Sequence, residues 1–189
     1  MNWHNHSETL VEDHAFLSPS NYHWLNYTNE KLAIVYRNKI AKDEGTWLHD
    51  LASRCIQKKI KLARSKNALN LFVNDCIGFR MKSEQKLVYS LNAFGTADAI
   101  SFDNNKLRIF DYKSGAIPAS FKQLDVYAAY FCLEYNINPL AIEIEERIYQ
   151  NNEVIEMFPE GEYIKEIMQR VVEFDTVLED LKIEAMKGM

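Results

Sequence analysis

Apolar and polar residues change their period several times along this chain, and each change marks an element. Residues 44–63 and 65–77 carry apolar side chains at helical spacing and predict two helices, the first carrying His49. Alternation takes over afterwards and predicts strands near 79–90, 94–103 and 106–113. "IPASFKQLDVYAAYFCLEYN" returns to helical spacing, with Leu124, Tyr127, Ala128 and Phe131 on one face. "LAIEIEERIYQNNEVIEMF" alternates around residues Gln150 to Asn152 and predicts a second hairpin. Residues 160–186 predict a closing helix whose apolar stripe, Ile164, Ile167, Met168, Val171, Phe174, Leu178 and Leu181, reads as core packing. Near the start, Ser18 stands as an N-cap with Pro19 at the first helical position. This order predicts an α/β fold, a central mixed sheet flanked by helices, with an N-terminal helical portion. No repeat, low-complexity tract or linker divides the chain, so residues 1–189 are expected to form a single domain.

The second and third strands break their own pattern. Asn104-Asn105 suits a two-residue hairpin loop, because Asn tolerates positive φ. That loop pairs Phe102 with Leu107, Ile100 with Ile109, and Asp98 with Asp111, and a longer loop would shift the register. With strict alternation, Asp98, Ile100, Phe102, Leu107, Ile109, Asp111 and Lys113 share one face. Opposed residues have Cβ atoms roughly 4.5–5.5 Å apart, so two carboxylates there repel on a half-buried face. A divalent cation between them would relieve the repulsion. Each residue taken alone also fits a solvated strand end.

Asp98 followed by Asp111-Tyr112-Lys113 resembles the D…(D/E)xK core of the PD-(D/E)XK nuclease superfamily. "GTAD" before the first acid and "DYKSG" around the second resemble its RecB-type branch, which includes many phage exonucleases. That branch carries G-x-x-x-H upstream, matched by Gly45 and His49, and Q-x-x-x-Y downstream, matched by Gln123 and Tyr127. The resemblance implies a restriction-endonuclease-like core and a Mg²⁺ or Mn²⁺ site. Its ligands would be His49, Asp98, Asp111 and the Tyr112 carbonyl. Lys113 would orient the attacking water, and Gln123 and Tyr127 would position the strand or support Lys113. Glu84 matches a glutamate that several members carry before the first aspartate, where it would hold a water on the metal. His49 alone also fits a packed helical histidine, and Gln123 with Tyr127 an ordinary helix pair.

Composition narrows the picture. The three cysteines, Cys55, Cys76 and Cys132, are unclustered, which suits a reduced cytoplasm and is too few for the four-cysteine iron–sulfur cluster of some relatives in this branch. No apolar run approaches the roughly 20 residues of a membrane span, so no membrane partner is expected. The N-terminal "MNWHNHSETLVEDH" lacks the pattern of a secretory signal. Cytoplasm of a bacterium or a phage-infected host is the expected compartment. Net charge is −5, which by itself does not mark a nucleic-acid binder. Its distribution does more: residues 31–66 carry +7 and residues 143–189 carry −8. A basic segment beside His49, including Lys58, Lys59 and Lys61, suits a phosphate-lined substrate, and also suits a solvated helix face. Trp24, Trp47, Tyr22 and Tyr27 are candidates for base stacking or for core packing.

Together these features lead to the expectation of a metal-dependent DNA exonuclease in phage or mobile-element recombination, replication or DNA processing. Its partner would be a DNA single strand or duplex end, with a single-strand annealing or replication protein as a possible companion. A structure-specific or restriction-like endonuclease and a non-catalytic DNA-binding module are the alternatives.

Overall fold

The computed structural model describes residues 15–187; the expectation of no secretory signal concerns residues 1–14, which lie outside the described residues. The chain divides into two compact units, one ending at Glu44 and the other beginning at Gly45. In the first, a 3-10 helix spans Pro19–Asn26, with Pro19 at its first position. Ser18 precedes it without capping it. Its hydroxyl pairs with Ser20 Oγ at 2.8 Å, and its carbonyl accepts the Trp24 indole N–H at 3.1 Å.

Helix α1 spans Asn29–Gln57. It begins well before residue 44, where the apolar pattern starts. Its buried residues are Gly45, Ala52, Ser53, Cys55 and Ile56, so the first half buries nothing that could print a stripe. Periodicity reports burial, and a helix without a buried face is silent. The helix also stops before residue 63. Lys59 takes φ 55, and the N–H groups of Lys59 and Ile60 donate back to the carbonyls of Ile56 and Cys55, a Schellman closure. Helix α2 spans Ala68–Gly78, with the Asn67 side chain accepting the Leu69 and Asn70 N–H groups. Arg80, at φ 54, closes α2 in the same way and delays the first strand to Lys82.

Five strands form one sheet in chain order: β1 Lys82–Val88, β2 Phe94–Asp103, β3 Lys106–Tyr112, β4 Glu143–Gln150 and β5 Glu153–Met157. All neighbours are antiparallel except β3 and β4. A parallel pair needs a crossover, and helix α3, Lys122–Glu134, supplies it. It starts later than the apolar pattern, because the preceding segment is held by β4: Gln150 donates to the Gly115 and Ile117 carbonyls and accepts the Ala119 N–H. Both hairpins turn on Asn pairs with positive φ, Asn104-Asn105 and Asn151-Asn152. The first sets Phe102 against Leu107 and Ile100 against Ile109, as a two-residue loop requires.

The fold is α/β, a mixed sheet flanked by helices, with an N-terminal helical portion. One face of the sheet packs Ile100, Leu107, Ile109 and Ile148 against Leu124 and Ala128 of α3. The other packs Ala99, Phe110 and Tyr149 against Ala52 and Ile56 of α1 and Phe72 and Val73 of α2. Cys55 and Cys76 lie in the second core and Cys132 in the first, all buried free thiols. Helix α4, Gly161–Lys187, closes the described chain. Its stripe is core packing only at the start: Ile164 is buried, and Ile167 and Met168 pack against the first core, but Phe174, Leu178 and Leu181 are exposed. Among the described residues no helix is long and apolar enough to cross a membrane.

Candidate metal centre

Strand β2 departs from alternation where the site forms. Ser83 pairs with Ala99 and Gln85 with Ala97, and between them Glu84 takes φ 51. A left-handed glutamate inside a strand is costly and persists only where its surroundings hold it. Across from it the side-chain order of β2 flips. Ala97 and Ile100 lie in the α3 core, whereas Ala99 lies in the α1 core. Asp98 turns with Ala99, and its Oδ2 lies 3.1 Å from His49 Nδ1 on α1. Asp98 therefore does not share the face of Ile100, as strict alternation predicts. Asp111 and Lys113 keep the regular phase: Lys113 Nζ donates to Asp111 Oδ1 at 2.9 Å and to Gln123 Oε1 on α3 at 3.1 Å.

The two acids thus arrive from different sides of the sheet. Asp98 Oδ2 also accepts the Tyr112 backbone N–H at 3.1 Å, which ties the end of β3 to Asp98 through a side chain. His49, Glu84 and Asp98 each offer a donor atom, all within 4.8 Å of one another. Asp111 stands apart from that trio, committed to Lys113 through one oxygen. Its other oxygen, Oδ2, is buried without a hydrogen-bond partner.

Electrostatics match this layout. Burial, reinforced by the charge of Asp98, pushes the Asp111 carboxyl up to about 6 despite the pull of Lys113. Burial and Asp98 also raise the Glu84 carboxyl. The hydrogen bond to Asp98 raises the His49 imidazole against the opposing effect of its burial. The two carboxylates and the imidazole of the trio form a mixed oxygen–nitrogen donor set of the kind that can hold a divalent ion, with the unpartnered Asp111 oxygen outside it.

Two glycines make the geometry possible. A Cβ on Gly45 would lie 2.9 Å from Ser114 Oγ, so glycine lets α1 approach the residue after Lys113. A Cβ on Gly95 would lie 2.8 Å from Tyr127 Cε1. Through that gap the Tyr127 hydroxyl donates to the Thr96 carbonyl at 2.6 Å. Gln123 Nε2 lies 3.3 Å from the same hydroxyl, so Lys113, Gln123, Tyr127 and β2 form one hydrogen-bonded chain. Sequence reasoning brought His49, Asp98, Asp111, Lys113, Gln123 and Tyr127 together. It placed Glu84 one step out, holding a water, and the structure sets it beside His49 and Asp98. It gave no role to Gly95, although "GTAD" contains it. Tyr22 and Trp47 are exposed, whereas Trp24 is tied to Ser18. No protein-family model and no curated protein matches the chain.

Proposed function

We propose that this chain is a divalent-metal-dependent nuclease of the RecB-type PD-(D/E)XK class that hydrolyses DNA phosphodiesters from strand ends. The observation that carries this reading is the convergence of His49, Glu84 and Asp98 donor atoms within 4.8 Å, beside a lysine held by Asp111 and Gln123. The fold has no structural need to gather Glu84, Asp98 and Asp111 around one histidine and one lysine. His49, Glu84, Asp98 and Asp111, with the Tyr112 carbonyl, would hold Mg²⁺ or Mn²⁺. When bound, the ion would polarise the phosphoryl oxygen and acidify an attacking water.

The chain's own groups do the rest. Lys113 presents a cation held from two directions, suited to a non-bridging phosphate oxygen or to orienting the nucleophilic water. Gln123 and Tyr127 limit its motion. Glu84 stands on the exposed side of the cluster, where it suits a proton acceptor for water. The basic stretch Lys58 to Lys66 leads into α2, whose first N–H, at Ala68, is held by Asn152 of the β4–β5 turn. That turn lies at the same sheet end as Lys113, because Lys113 N–H donates to Tyr149 O. Phosphates extending from the site towards this stretch would meet positive charge. The cytoplasm of a bacterium or an infected host suits such an enzyme and its buried free thiols.

The test is digestion of end-labelled linear and closed circular DNA, single- and double-stranded, with Mg²⁺, with Mn²⁺ and with chelator. Metal-dependent loss of linear DNA alone supports the exonuclease reading. Cleavage of closed circles makes it an endonuclease on the same site. Absence of cleavage with either metal refutes both.

A further inference from the structure

Helix α4 has two halves with different surroundings. Its apolar residues Ile164, Ile167, Val171, Phe174, Leu178 and Leu181 recur at alternating steps of three and four, the a and d spacing of a coiled coil. The first half spends this stripe on the core beside α3. The second half does not: Phe174 is 51% exposed, Leu178 43% and Leu181 53%, with Val177 beside them at 50%. This half is braced, not loose. Ser90 Oγ and Asn92 Nδ2 from the β1–β2 turn donate to Asp175 at 2.5 and 2.8 Å, Asn92 also reaches Glu179, and Lys182 donates to Asn92. The turn covers one flank of the stripe. The opposite flank carries Arg170 and Glu184, two heptads apart and equally spaced about Val177.

We propose that the second half of α4 pairs with the same segment of a second copy of this chain, antiparallel, about a two-fold axis at Val177. Self-complementary charge identifies the occupant. With that axis, Arg170 of each copy lies across from the partner's Glu184, and the two ion pairs bracket the apolar centre. Phe174 falls beside the partner's Leu181, and Val177 and Leu178 meet near the axis. A parallel pair would match the Arg170 flank of one copy to the flank that the Ser90–Asn92 turn already covers. Only the antiparallel arrangement brings the two open flanks together, and it gives the isologous contact a two-fold dimer requires.

Sedimentation velocity over a wide concentration range tests this. The wild type should pass from one to two chains as concentration rises. Leu178→Glu with Leu181→Glu should stay monomeric with unchanged circular dichroism, since both side chains are exposed. Arg170→Glu alone should weaken the dimer about tenfold, because two weak attractions become repulsions. Adding Glu184→Arg to that variant should restore the wild-type dissociation constant. A wild type that stays monomeric throughout, or a double glutamate variant that still dimerises, overturns the proposal. Failure of the charge reversal to restore affinity overturns the antiparallel arrangement.

Discussion

Asp111 and Glu146 are both buried carboxyl groups with an oxygen that finds no hydrogen-bond partner, yet they sit in opposite circumstances. Asp111, 3% exposed, carries Lys113 on one oxygen and feels the charges of Asp98 and His49 nearby. Glu146, fully buried on β4, has neither oxygen paired. Its titratable neighbours are Asp125 on α3, itself buried with one unpaired oxygen, and beyond it Tyr163 on α4, which bonds Asp125 and also faces Glu166. Burial, with Asp125 adding to it, pushes Glu146 up to about 9, whereas Asp111 rises only to about 6. The difference is the cation. Lys113 keeps Asp111 within reach of ionisation near neutral pH, and Glu146 has no such neighbour. An unsatisfied oxygen at the open end of a sheet is an available ligand; the same oxygen sealed between β4, α3 and α4 is a protonated acid.

The sharpest way to break this contrast is to remove Lys113 or Asp111. Lys113→Ala or Asp111→Ala should lower DNA cleavage by roughly a thousandfold. Metal-free thermal stability of Asp111→Ala should hold or rise, because repulsion from Asp98 disappears. Near-normal cleavage by both variants would sink the site. His49 sharpens the same side. The nitrogen it would add to an oxygen shell favours Mn²⁺ over Mg²⁺, so wild type should cleave faster in Mn²⁺. His49→Asp should narrow that preference and His49→Ala should lose most activity with either ion. An unchanged Mn²⁺/Mg²⁺ rate ratio in the alanine variant would exclude ligation.

Glu146 tests the sealed side. Its folded carboxyl lies near 9 and its unfolded one near 4.5, so the native state binds the extra proton between those values. Stability therefore falls as pH rises through that window, by at most about 1.4 kcal/mol per pH unit, and levels off above it. Asp111 adds a slope of the same sign between 3.8 and about 6. Denaturant titrations with chelator should show Glu146→Gln losing the slope above pH 6 and Asp111→Asn losing part of it below, with activity retained only by Glu146→Gln. A full slope above pH 6 in Glu146→Gln would contradict the protonated-acid reading. Tyr127→Phe should have the smallest effect. Losing its bond to Thr96 O should cost about 1 kcal/mol and slow cleavage severalfold, and an unchanged rate would free Lys113 from this support.

The sequence pattern foretold the sheet and both hairpins, because Asn pairs between alternating runs admit few other turns. Motif spacing singled out His49, Glu84 and Asp98, whose donor atoms lie within 4.8 Å, but it set Asp111 opposite Asp98, and the structure holds Asp111 on Lys113 instead. It did not foretell how Asp98 meets His49. That depends on one left-handed residue, Glu84, whose conformation no period reveals. Nor could it show the reach of α1, since an unburied helix leaves no stripe. The exposed end of α4 was misread for the converse reason: a stripe shows that an apolar face exists and says nothing of what covers it.

The one parallel joint, β3 against β4, divides the chain by the order in which it can fold. Glu84, Asp98, Asp111 and Lys113 all belong to the β1–β2–β3 meander or its edge, where partners lie close in sequence. The β4 partner arrives only after a chain segment containing α3 has closed a long loop, the slower kind of event. Until it docks, like charges stand together without the hydrogen bond from Lys113 N–H to Tyr149 O that anchors the end of β3. Refolding in chelator should therefore show the site's repulsion as a kinetic cost, and Asp111→Asn should refold faster than wild type.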